Sequence, residues 1–317
     1  MESTRSQNRL RAGAALPALA LLACALLGSA APALAKLNVV ATTPELGALA
    51  AAVGGDKVAV LNLAKPTEDP HFVDARPTHI VTLNRADALI EGGAELELGW
   101  LPPLVEGARN TKVAPGAPGR IAASEGIQLV DIPAVADRSR GDIHAAGNPH
   151  FMMDPLNARI VAAHIADSFC KIDAGSCAAF RSNLAAFEGR LDAKMKEWTA
   201  ALAPYKGASI VTYHATWRYF AARFDLKSDI YLESKPGIPP SPPHLAEVIG
   251  KMRADGIKLI LIEPYQSRKV AETVAEHAGA AIASVAQFPG GLPGTDGDYL
   301  ALIDADVKGI AAGLGRH

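Results

Sequence analysis

Residues 180–202 read FRSNLAAFEGRLDAKMKEWTAAL. Within them Phe180, Leu184, Phe187, Leu191, Met195, Trp198 and Leu202 recur at spacings of 4, 3, 4, 4, 3 and 4. That period puts all seven on one face of an α-helix. Arg181, Glu188, Arg190, Asp192, Lys194 and Lys196 fall opposite. A helix of about 25 residues spans roughly 37 Å, enough to run along two lobes. An ordinary core helix carries the same stripe, so its flanks decide what it joins.

Both flanks alternate short apolar runs with helical patterns. Before the stripe, Leu37–Thr43, Val58–Ala64, Asp87–Glu91 and Ile127–Ile132 read as buried strands. Leu46–Val53, Thr78–Asn84 and Leu156–Phe169 read as helices among them. After it, Ser209–Tyr213, Asp229–Leu232, Lys258–Ile262 and Ala281–Val285 are strands, separated by helices at Ala215–Phe224, His244–Ala254 and Arg268–Ala278. Pro236–Pro243 reads as a surface loop. Strand–helix alternation predicts an α/β fold with parallel-rich sheets. The expected division is an N-terminal lobe at 36–175, a connecting helix at 176–203 and a C-terminal lobe at 204–317, both lobes doubly wound.

Residues 1–35 stand apart. Arg5, Arg9 and Arg11 precede an apolar run at Ala14–Leu27, and Ala33-Leu34-Ala35 forms a small-x-small cleavage site. This is the pattern of a secretory signal peptide, and the run is short for a membrane span. Cys24 loosely resembles a lipidation site but is expected to leave with the leader. What remains is long enough for two lobes of about 100–150 residues each. The formal net charge is −2 and no basic run is present, which argues against a nucleic-acid partner. After the leader only Cys170 and Cys177 remain, and an oxidising compartment favours a disulfide between them.

Nine histidines are present, and a lone histidine is usually structural. Context singles out three. His71 lies in Glu68-Asp69-Pro70-His71 beyond the second strand, His150 in Asn148-Pro149-His150 ahead of a helix, and His214 at the end of Ser209–Tyr213. Ligands of open α/β sheets bind outside the carboxyl ends of strands. Imidazole suits Zn2+, Cu2+, Ni2+ or Fe2+. His79, His164, His244 and His277 sit within predicted helices and keep a structural reading, and His317 is terminal.

These segments resemble a known family, the zinc/manganese substrate-binding proteins of ABC transporters (cluster A-I, zinc-uptake type), whose lobes are joined by a rigid helix. Asp69-Pro70-His71 with Arg76-Pro77-Thr78 is similar to its first-ligand motif. Asn148-Pro149-His150 with Asp154-Pro155 is similar to the second, and Tyr213-His214-Ala215 with Tyr219-Phe220 to the third. Ala88–Gly93, Leu96-Glu97, Trp100-Leu101, Phe224-Asp225-Leu226, Pro236-Gly237-Ile238 and Ile262-Glu263-Pro264 also fit, so the resemblance spans essentially the whole chain after the leader. It implies His71, His150 and His214 as metal ligands, a periplasmic monomer, a membrane permease as partner, and loading directly or by a metallochaperone.

Two features depart from the family pattern. The loop where a carboxylate ligand is expected reads Ala286-Gln287-Phe288-Pro289-Gly290-Gly291. Candidates for the fourth position are water, Asp296, Glu263 and, last, Gln287, a neutral amide. The segment Pro133–Pro149 lacks a His- and acid-rich run, holding only His144, Asp137 and Asp142, with His144 as an auxiliary ligand candidate. The cargo expected from three imidazoles is Zn2+; Mn2+ or Fe2+ is the alternative and would favour more oxygen ligands. Three histidines also describe a catalytic zinc, so a hydrolase with Glu263 or Asp296 as base is the rival from another class. No HExxH pair is present, and a binding protein rather than an enzyme is expected. An adhesin retaining this fold is a third reading.

Overall fold

Parallel strands covered on both faces need uninterrupted apolar runs. The computed structural model describes residues 36–135, 141 and 143–316, and in it Leu259–Ile262 is buried at every position. The expected leader 1–35 with Cys24 lies outside the described residues, as do Asp137, Asp142 and His317.

The first sheet holds β1 (Leu37–Ala41), β2 (Val58–Asn62), β3 (Ala88–Glu91) and β4 (Arg120–Ala122) in the order β2-β1-β3-β4. The second holds β5 (Ser209–Thr212), β6 (Lys227–Tyr231), β7 (Leu259–Ile262) and β8 (Ala281–Ser284) in the order β6-β5-β7-β8. All six pairings are parallel. Each half therefore reverses direction across its sheet after the second strand, so the switch points lie between β1 and β3 and between β5 and β7.

Among the described residues the helices are α1 (Pro44–Gly54), α2 (Pro77–Asn84), α3 (Leu101–Ala108), α4 (Pro155–Ile172), α5 (Cys177–Leu202), α6 (Arg218–Arg223), α7 (Pro242–Ala254), α8 (Arg268–Ala278) and α9 (Tyr299–Leu314). None is long and apolar enough to cross a membrane. The long stripe forms α5, which buries Phe180, Leu184, Phe187, Leu191, Trp198 and Leu202, with Met195 half-buried against the same core. The turn from α4 into α5 is closed by the Cys170–Cys177 disulfide and by the Phe169 and Phe180 rings, 5.4 Å apart edge to face.

One contiguous core runs from Val39 and Ile90 of the first sheet, through Phe169, Leu191 and Trp198, to Leu259 and Ile303 of the second half. The helix is thus a wall shared by both lobes. Each large apolar side chain buried there contributes about 1.5–3 kcal/mol, so a motion that split this core would forfeit several such contributions. Polar contacts tie α9 to the same helix: the Trp198 indole donates to Asp304 at 3.3 Å and the Lys194 ammonium at 3.1 Å.

The structure corrects the sequence reading in places. Ile127–Ile132 is not a strand; the fourth strand of the first sheet is Arg120–Ala122. The backbone N–H of Val130 goes instead to the Tyr219 hydroxyl, its carbonyl accepts from Asn148, and Asp131 takes a positive φ of 53°. An extended run cannot continue through that left-handed residue. Ala215–Phe224 splits into a 3-10 turn at Ala215–Trp217 and the short α6. Pro242 and Pro243 of the expected loop open α7 behind a Ser241 cap. Helices α3 and α9 were not anticipated; Pro102 and Pro103 sit in the first turn of α3, where no N–H is needed.

Candidate metal centre

His71, His150 and His214 come from three distant loops and meet at the carboxyl ends of the two sheets. Their ring centroids form a near-equilateral triangle: 5.1 Å from His71 to His150, 5.4 Å from His71 to His214 and 5.1 Å from His150 to His214. One potential ligand atom of each lies within 4.8 Å of the others.

Each ring is oriented by an acceptor on Nδ1. In the turn after β2, Asp69 Oδ1 accepts from the backbone N–H of His71 at 3.0 Å and lies 2.8 Å from its Nδ1. An Asx turn of this kind suits a short acidic side chain. The Trp100 indole donates to the Pro70 carbonyl at 2.9 Å and fixes the same turn. For His214, which follows β5, the Nδ1 partner is Oε2 of Glu233, two residues beyond the end of β6, at 3.0 Å. For His150 it is Gln287 Oε1 at 2.9 Å, from the loop after β8.

His150 is placed by a strap between the lobes. Its backbone N–H donates to Asn148 Oδ1 at 3.0 Å. The Asn148 amide donates to the Ala215 carbonyl at 2.9 Å, and the Tyr219 hydroxyl donates to the Asn148 carbonyl at 2.7 Å. Behind it, Asp154 caps α4 and accepts both N–H groups of Arg223 at 2.8 and 2.6 Å. This bidentate pair joins α4 to α6.

The electrostatics divide the three rings. Burial, reinforced by His71, His214 and His144, holds His150 well below the ordinary histidine range. Burial also works against charge on His214, but the Glu233 hydrogen bond and charge, with Glu263 and Asp69, carry it above that range. Nε2 of His150 is buried and has no hydrogen-bond partner among the described residues. With Nδ1 engaged by an acceptor, such a nitrogen offers a lone pair to a cation.

The remaining candidates separate clearly. His144 comes close to the cluster, buried, with its ring 5.2 Å from that of His71. It helps line a cavity of about 240 Å³ with Asn148, His150, His214 and Pro236. Glu263 is buried and accepts from the Trp217 indole at 2.8 Å, the Gln287 amide at 2.8 Å and the Tyr265 hydroxyl. Burial raises its pKa against those three donors. Gln287 therefore lies between Glu263 and His150. Asp296 is exposed in the loop before α9, outside the group of three. His244 and His277 bond backbone carbonyls, of Tyr231 at 3.0 Å and Thr273 at 2.8 Å. Glu233 and Tyr265 were not singled out from the sequence. The rule that selected His214, a polar residue at a strand's carboxyl end, also applies to Glu233.

Known proteins match along nearly the whole chain. Residues 39–313 match the family model ZnuA, zinc-uptake complex component A periplasmic. The iron ABC transporter substrate-binding lipoprotein MtsA of Streptococcus pyogenes serotype M1 is 26% identical over 313 residues, covering 96% of this chain and 97% of its own. The manganese ABC transporter substrate-binding lipoprotein PsaA of Streptococcus anginosus is 24% identical, covering 95% and 96%. Among solved structures, a crystal structure of ZnuA superposes with a TM-score of 0.73 at 22% identity, covering 88% of this chain and 99% of that one. A Mn-bound periplasmic metal binding protein from Candidatus Liberibacter asiaticus gives 0.72 at 21% identity, covering 87% and 99%.

Proposed function

Because this chain belongs to the zinc-uptake complex component A family, we propose that it captures Zn2+ between its lobes and delivers it to the membrane permease of an ABC importer. Metal binding for such an importer comes with the family, and the relatives named above are iron and manganese ABC transporter substrate-binding lipoproteins. The observation that carries the choice of zinc is the donor set: three imidazoles, each with Nδ1 held by an acceptor. Nitrogen-rich sites of this kind suit Zn2+, whereas manganese sites draw on more oxygen ligands. In this reading His71, His150 and His214 are the ligands.

Water takes the fourth position. Glu263 and Gln287 are engaged with each other and with Trp217, Tyr265 and His150, and Asp296 is exposed. Glu263, the base cast for a zinc hydrolase, is already engaged by Trp217, Tyr265 and Gln287, which favours the binding reading. His144 is the auxiliary group, carried on the segment that borders the cluster.

Two ligands precede α5 and one follows it, so the ion favours the arrangement that brings the halves together, by its differential affinity for that state. The division into lobes at 36–175 and 204–317, linked through 176–203, belongs to this reading. The shared core limits the motion to loop shifts. Export by the leader 1–35 fits the Cys170–Cys177 disulfide, which an oxidising compartment maintains. X-ray absorption on the zinc-loaded mature chain tests the site: three imidazoles and one oxygen donor are expected. A sphere dominated by oxygen would refute it.

A further inference from the structure

We propose that Gln287 is a positioning residue for the captured ion. Its amide, locked by Glu263 and Tyr265, holds His150 in the tautomer that turns a lone pair into the cleft. The inference rests on His150 being a ligand.

The orientation of the amide follows from its partners. Gln287 is buried, with Oε1 at 2.9 Å from His150 Nδ1 and Nε2 at 2.8 Å from Glu263 Oε2 and 2.6 Å from the Tyr265 hydroxyl. Glu263 is an acceptor on which the Trp217 indole and the Tyr265 hydroxyl also converge. The end of the amide facing it must be the NH2 group, and the end facing His150 must be the carbonyl. A carbonyl accepts, so His150 Nδ1 carries the hydrogen and Nε2 carries the lone pair. That Nε2 is the buried atom without a hydrogen-bond partner among the described residues. The free ring prefers the opposite tautomer, with hydrogen on Nε2, which could not bind a cation through that atom.

The acceptor sits at Nδ1, across the ring from Nε2. Gln287 therefore stands away from an ion held at Nε2 and acts through His150. Its neutrality matters as well. His71 and His214 are backed by carboxylates, Asp69 and Glu233, whereas His150 is backed by an amide that itself leans on a carboxylate. A second carboxylate at 287 would face Glu263 directly, and two buried anions in contact cannot both stay ionised. The amide supplies the acceptor without that repulsion. Engaged at His150 Nδ1, the amide oxygen adds no oxygen ligand of its own to the ion, which favours Zn2+ over Mn2+.

The test compares the mature chain with Gln287→Leu, Tyr265→Phe and His150→Ala. Zinc affinity is measured by chelator competition, the His150 tautomer by 15N NMR of the metal-free protein, and folding by thermal melting. Gln287→Leu is expected to bind zinc roughly 10–100-fold more weakly, with His150 shifting toward the Nε2–H form. Tyr265→Phe, which loosens the amide without removing it, is expected to shift both readouts in the same direction by less, and decides the matter if Gln287→Leu does not fold. His150→Ala should lose tight zinc. Wild-type affinity and tautomer in folded Gln287→Leu would overturn the proposal while leaving the site intact. A lowered melting temperature with an unchanged tautomer would likewise overturn it. Tight zinc retained by His150→Ala would instead overturn the ligand assignment beneath it.

Discussion

The imidazoles of His71 and His214 stand 5.4 Å apart, one carried beyond the second strand of the first sheet and the other at the end of the first strand of the second. Two sheets of identical strand order thus present their carboxyl ends to one another, and His150 completes the triangle from the strap between them.

If these three rings hold the ion, His71→Ala, His150→Ala and His214→Ala should each weaken zinc binding by at least about 100-fold, more than loss of an orienting partner costs. His277→Ala, whose ring bonds the Thr273 carbonyl within α8, should leave it unchanged. Chelator competition on the four variants gives the comparison. Equal losses throughout would point to general destabilisation instead of coordination.

Zinc binding should weaken in acid, with a sign set by two rings. His150 is held neutral far below the ordinary range and has no proton to lose near neutrality. His214 is raised, so on the acid side of its elevated pKa the ion must displace a proton from it. Affinity should fall roughly tenfold per pH unit through that region and level off above it. Calorimetry in buffers of different ionisation enthalpy counts the proton released. Binding indifferent to pH from 5.5 to 8.5 would contradict the assignment of His214.

Glu45 predicts a stability profile. Burial, aided by the nearby Glu97 and opposed by the Thr43 hydrogen bond, raises its pKa from 4.5 to about 8. The unfolded chain releases this proton first, so Glu45 costs nothing below about pH 4.5 and makes stability fall as pH rises to about 8, by up to roughly 5 kcal/mol. Glu45→Gln cannot ionise and should flatten that decline. Urea unfolding of both proteins at pH 5 and pH 8 measures it. An equal drop in both would place the charge elsewhere.

The disulfide closes a short loop at the α4–α5 turn. Replacing Cys170 and Cys177 together by alanine should cost about 2–3 kcal/mol by the chain-entropy account. Zinc stoichiometry should be retained, because neither sulfur belongs to the cluster. Unfolding curves with a zinc titration on the same sample separate the two effects.

Much of this was legible in the sequence because the deciding signals are local. The Phe180–Leu202 stripe needs only a period, His214 stands just past the end of a strand, and His71 lies in the polar loop beyond another. The roles of Gln287 and Glu233 were not legible, since each depends on which loop comes to face which. Gln287 and His150 are 137 residues apart, and nothing local to either marks the other. Ile127–Ile132 misled for a related reason: its apolar character is genuine, but Tyr219 from the other half claims the Val130 N–H. Tertiary partners there override local propensity.

The most direct test of the central claim is a competitive titration of the demetallated mature chain with Zn2+ and Mn2+, with elemental analysis of what it retains after dialysis. The account predicts one equivalent of Zn2+, held far more tightly than Mn2+. Tighter Mn2+ binding, or no stoichiometric metal at all, would contradict it.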